Sequence, residues 1–203
     1  MIQTEDVSIY LPKYLSGDNY QTLLSELKSF PDNIDKRLYS NTLEREILFQ
    51  GDGYDSLPFV DMAHLEKGRK NRHGIILSNT CDIDLTNKRP YPSHIMYAPI
   101  ISLEKYVLTL RNNNTNEEKI DRHLSDVRQQ RITSVFYLPA IYQLPESIVF
   151  FDKVYNINNN FVDRSTLFKH RLFSLSDYGF YLFLLKLSVH FSRIRERVNR
   201  GHL

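Results

Sequence analysis

The stretch HGIILSNTCDIDLTN, His73–Asn87, decides how this chain is read. Ile75, Ile76 and Leu77 form a short apolar run, rich in β-branched side chains, which favours a buried strand over a helix. The run stops at Ser78-Asn79-Thr80-Cys81-Asp82. Small polar groups of this kind cannot be buried without partners, so the chain is expected to leave the core here. The segment is then either the rim of an active site or a capped strand end.

The pattern repeats on both sides. EREILFQGDGY reads as a strand broken at Gly51-Asp52-Gly53, a turn signal. SLPFVDMAHLEKGRKNRH, Ser56–His73, reads as a basic loop, and SHIMYAPIIS as a strand reached through the turn formers DLTNKRPYP. ITSVFYLPAI and SIVFFDKVYNI are two further strand-like runs, and Asn158-Asn159-Asn160 is a turn leading to one more. Helical signals lie between and around these. The segment SGDNYQTLLSELKSF, Ser16–Phe30, has leucines at helical spacing. In SLEKYVLTLRNNNTNEEKIDRHLSDVRQQ, Asn112 to Asn116 interrupts a helical pattern that resumes with Ile120, Leu124 and Val127 on one face. From Ser176 or Asp177 a C-terminal helix is predicted to run to about Asn199, with Leu182, Leu185, Val189 and Ile194 along its buried side.

The expected class is α+β: a small curved antiparallel β-barrel with inserted helices and a long C-terminal helix. The expected organisation is an N-terminal helical segment over 1–45, a barrel-like β domain with an inserted helix over 46–165, and a C-terminal helix over 166–203 that packs on the barrel or on a partner. The chain has 203 residues, 41% hydrophobic and 25% charged, a globular composition long enough to build its own core. Its formal net charge of +2 is too mild to argue for a nucleic-acid partner, so any such argument must come from local clustering. A single cysteine excludes an internal disulfide and a cysteine-based zinc site. No metal or cofactor is assigned. The acidic start MIQTEDVSIY does not resemble a signal peptide. YGFYLFLLKLSVHF is interrupted by Lys186 and His190 and falls short of the roughly 20 apolar residues of a membrane span. A cytoplasmic protein without a membrane partner is expected.

The segments QGDGY, RKNRHGIILSN and HIMYAPIIS together resemble the layout of the MazF/PemK toxin superfamily over Gln50–Ser102. The resemblance implies an SH3-like barrel and an endoribonuclease acting on single-stranded RNA, within a bacterial toxin or phage-defence system that includes a protein partner. In that superfamily an Arg just before the second strand and a Ser or Thr just after it carry the reaction. The matching positions are Arg72, with Arg69 as runner-up, and Ser78 or Thr80.

Each candidate residue also has a plainer reading. Cys81 could be a nucleophile, given a base such as His64, His73 or His94, which would make the protein a Cys81-dependent hydrolase. As a lone thiol at a strand end it is expected to be a small buried hydrophobe. Asp82 and Asp84 would share a face if the strand continues and could move protons, or they could cap the turn. Asp52 and Asp55 flank the glycine turn and could face that cluster. Lys67, Arg69, Lys70 and Arg72, with Arg89, form a basic rim suited to phosphates, or a solvated surface. A non-catalytic scaffold subunit, docking through its C-terminal helix, is the reading from another class.

Overall fold

The computed structural model describes residues 37–40, 46–60 and 63–192. The helix expected over Ser16–Phe30 and the basic tail from Arg193 lie outside the described residues.

Seven strands form one antiparallel sheet: β1 (Gly53–Val60), β2 (Arg69–Ile76), β3 (His94–Ser102), β4 (Val135–Leu138), β5 (Ser147–Phe150), β6 (Tyr155–Asn158) and β7 (Arg171–Phe173). Among the described residues five α-helices accompany them: α1 (Thr80–Ile83), α2 (Leu103–Asn112), α3 (Glu117–Arg128), α4 (Arg164–Lys169) and α5 (Asp177–Ser192). The class is α+β, as the alternation of strand and helix patterns predicts. The strand order is β4-β5-β3-β2-β1-β7, with β6 also pairing β3. Over the described residues the sheet is therefore open rather than a closed barrel, and it continues past residue 165 through β7.

β3 organises this arrangement by changing partners along its length. Tyr97 to Pro99 pair with β2, His94 to Tyr97 with β6, and Ile100 to Ser102 with β5. The β4–β5 end is covered on both faces, and its sequence shows it. In β4, Val135 and Tyr137 face a cluster with Ile120, Leu124 and Val127 of α3, while Phe136 and Leu138 face a cluster with Leu182 and Phe183 of α5. This is the period of two expected of a strand, and burial on both sides explains the unbroken apolar run VFYL. Phe136, Phe151 and Phe183 meet edge to face or tilted at 5.3–6.3 Å between centroids, each burial worth roughly 1.5–3 kcal/mol before entropy.

The C-terminal helix begins where predicted, at Asp177, and runs to the end of the described residues at Ser192. Ser176 caps it, its Oγ accepting from the Gly179 N–H at 3.0 Å. Its buried face differs from the expected one. Tyr178, Gly179, Leu182, Phe183 and Lys186 are buried, whereas Leu185 is 49% and Val189 39% exposed. The helix is apolar nearly all round, so periodicity could not choose the face. Gly179 does: a Cβ there would lie 2.1 Å from the Leu38 carbonyl oxygen, so only glycine lets the helix approach that backbone.

Candidate nucleic-acid interface

β1 and β2 pair from Gly53↔Ile75 out to Val60↔Arg69, but β2 pairs with β3 only over Gly74 to Ile76. The outer part of the hairpin, Leu57–Val60 with Arg69–His73, is thus an arm free of the sheet. It folds back across the sheet face. Phe59 packs edge-on against Tyr97 and Tyr155 at 5.2 and 4.8 Å, and the Tyr97 hydroxyl donates to the Pro58 carbonyl. The segment expected as a basic loop is therefore largely strand. Arg69, Lys70, Asn71 and Arg72 carry no apolar alternation to mark it, because all four are exposed.

Between the arm and β6 lies a cleft of about 730 Å³. Arg69, Asp152, Lys153, Tyr155 and Asn156 line it, with Val60 and Tyr97, and the Lys153 ammonium lies over the Phe150 ring, 4.7 Å from its centroid. Burial raises the Tyr97 hydroxyl to about 12, while the Arg69 charge pulls the other way. Tyr97 is nearly inaccessible, but Tyr155 is only half-buried and Val60 is 37% exposed. Two cations, one carboxylate, an amide and aromatic groups thus line one concave surface. Lys67, Lys70 and Arg72 sit exposed along the same arm. Arg72 lies on β2 four residues before Ile76, about 13 Å along an extended strand, and it is Arg69 that reaches the cleft.

The Ser78–Asp84 segment departs from expectation in several ways. The strand does not persist beyond Ile76: Thr80–Ile83 is a helical turn, so Asp82 and Asp84 do not share a strand face. Asn79 caps the turn, accepting from the Cys81 N–H at 2.9 Å. Cys81 is exposed rather than buried, because the cap carries it outward. Ser78 is buried and accepts from the Met96 N–H at 2.7 Å while lying 3.2 Å from the His94 carbonyl to which it donates. The Thr80 hydroxyl accepts from the Gln50 N–H at 3.0 Å. Asp82 pairs with Arg89 at 2.6 Å on the surface, which places Arg89 beside the turn. Asp84 accepts from the Thr86 N–H and hydroxyl, both at 2.8 Å, and these bonds hold its carboxyl below the usual range. Asn159 and Arg164 fix the turn from beneath, each donating to the Ile83 carbonyl, at 2.9 and 3.0 Å. Of the two readings of the opening stretch, its bonds are those of a capped strand end.

Asp52 does not face this cluster. It is 1% exposed and lies 3.2 Å from the Arg171 guanidinium; Tyr54 donates to it at 3.2 Å, and Arg171 in turn donates to Tyr54 at 3.0 Å. Burial raises the Asp52 carboxyl to about 6, opposed by Ser174, Arg171, the Phe49 N–H and Tyr54. Burial also raises the Tyr54 hydroxyl. Asp55 instead meets His170 at 2.7 Å. No local pattern links Asp52 to Arg171, 119 positions later in the sequence. The β1–β7 pairing alone joins them.

Among the described residues, no group of three or more His, Cys, Asp or Glu is arranged to hold a metal ion, and no helix is long and apolar enough to cross a membrane. The sequence matches no protein-family model and no curated protein.

Proposed function

We propose that this chain binds single-stranded RNA in the cleft between the β1–β2 arm and β6, as a component of a bacterial toxin or phage-defence system that works with a protein partner. The observation that carries the reading is the convergence of Arg69, Lys153 and Asn156 with the half-buried ring of Tyr155 in one cleft, whose lining holds two cations against the single acid Asp152. Cations track a phosphate backbone, and an aromatic face stacks on any base. The resemblance to the MazF/PemK superfamily supports the same class of ligand. In this reading the open curl of β1, β2, β3 and β6 is an SH3-like barrel whose unclosed seam is the binding groove. Binding is favoured over cleavage because Ser78 and Thr80, the candidates for the reaction, are committed to backbone hydrogen bonds within the fold.

The test is fluorescence anisotropy with a labelled oligouridylate of about ten nucleotides. Affinity should fall steeply between about 50 and 200 mM salt, and Arg69→Ala should lower the slope of log K against log salt by about 0.7. Cys81→Ser should bind as wild type. Equal binding by wild type and Arg69→Ala, with the same salt slope, would overturn the reading. RNA cleavage lost in Cys81→Ser but kept in Arg69→Ala would move the chemistry to the thiol.

A further inference from the structure

We propose that the recess between α5 and the turn at residues 130–133 binds a small amphiphilic carboxylate, its headgroup on the Lys186 amine and its apolar body along Leu182, Leu185 and Val189. This site is separate from the cleft at the β1–β2 arm and independent of the RNA reading.

The recess holds about 440 Å³. Lys186 is 7% exposed on the buried side of α5. Its Nζ donates to the Gln130 carbonyl at 2.9 Å and to the Gln130 Oε1 at 2.8 Å. Gln130 is itself fixed: its backbone is left-handed at φ 56°, and its side chain makes a two-way bond with the Tyr137 backbone, at 2.7 and 3.1 Å. Both acceptors on Lys186 are neutral. An ammonium has three donors, so one N–H remains beyond this pair.

A buried amine is ordinarily paired with a carboxylate. The residues lining this recess include neither an acid nor a second cation. Burial accordingly depresses the Lys186 amine to about 7. The group that would restore its charge is a monoanion brought from outside. A dianion such as phosphate would leave a charge uncompensated. Leu182, Leu185 and Val189 form the aliphatic walls, with Tyr181 and Thr133 beside them, and the partial exposure of Leu185 and Val189 opens a route from solvent. Charge complementarity therefore selects a carboxylate head, and the walls select an apolar tail.

Octanoate is a suitable probe, measured by titration calorimetry with octanamide as its uncharged counterpart. Octanoate should bind, and octanamide should bind about tenfold or more weakly, as loss of a charge-assisted hydrogen bond implies. Lys186→Met should lose the preference for octanoate over octanamide. Val189→Trp, at a partly exposed position, should fill the mouth and abolish binding without unfolding the chain. In protein labelled with ¹³C at lysine ε carbons, octanoate should shift the Lys186 signal ahead of the others. Absence of octanoate binding, equal affinity for the amide, or unchanged binding in Val189→Trp would each overturn the proposal.

Discussion

Replacing Lys186 by Met should change stability with opposite signs at neutral and alkaline pH. The native amine titrates near 7 against 10.5 for the exposed group. A depressed lysine pKa means that the folded state holds fewer protons than the unfolded state between these values, so this group's contribution improves as pH rises from about 7 to 10.5 and is least favourable below 7. At about 1.4 kcal/mol for each pH unit between the two values, and allowing for half-protonation of the native amine, the penalty at pH 7 is roughly 4 kcal/mol. Met keeps the apolar stem but gives up the two bonds to Gln130, roughly 1 kcal/mol each. The variant should therefore be more stable than wild type by roughly 2 kcal/mol at pH 7, and less stable by about 1 kcal/mol near pH 10, where the wild-type penalty has mostly vanished. Urea melts of both proteins at the two pH values read the difference directly, because every other titration cancels to first order. A difference of the same sign and size at both pH values would show that the buried amine keeps its charge at no cost, and the reasoning would fail.

Three further outcomes follow from buried contacts. Asp52, raised to about 6 from 3.8, gives the folded state the larger share of protons in that window; wild-type stability should fall relative to Asp52→Asn as pH rises from about 4 to 6, and parallel pH profiles in urea melts would refute this. Gly179→Ala places a methyl group 2.1 Å from the Leu38 carbonyl oxygen and should lower stability by about 1–3 kcal/mol, as overpacking does; an unchanged thermal midpoint would mean that the helix does not sit so close. Ser78→Ala should cost about 1 kcal/mol by removing the part-buried bond from the Met96 N–H while leaving the RNA affinity of the folded protein intact; a selective loss of RNA cleavage without loss of stability would return Ser78 to a chemical role.

The β4 and β5 strands are legible in the sequence because each alternates between two apolar clusters, leaving an apolar run too short for a helix. The break at Asn112–Asn116 marks the α2–α3 boundary, and Asn116 does cap α3, accepting from the Glu118 N–H at 2.8 Å. The arm is not legible. β2 begins with four exposed polar residues, so only its pairing with β1 makes it a strand, and pairing leaves no trace in a single chain. The exposure of Cys81 is hidden for a related reason: the side-chain cap from Asn79 turns the backbone within two residues, and a capped turn and a continuing strand share the same polar composition. Lys186 is visible only as a charge inside an apolar run. That its amine ends on Gln130 depends on a left-handed residue 56 positions away in sequence.

The partner exchange along β3 also explains why charge and fold meet at the arm. A two-stranded hairpin is marginal by itself, and beyond Gly74 this one has no ladder to β3. Its seat is aromatic: Phe59 against Tyr97 and Tyr155, with the Tyr97 hydroxyl on Pro58. The same two tyrosines belong to the cleft lining. A substitution at Tyr97 or Tyr155 would therefore disturb the seat of the arm and the floor of the cleft together, and its effect on RNA could not be apportioned between them. Arg69 stands apart from this coupling. It is exposed, at the arm's outer end, and reaches the cleft with its charge rather than through a core contact. Removing it changes the cleft's field while leaving the aromatic seat in place, which is why the RNA reading is best tested at that residue.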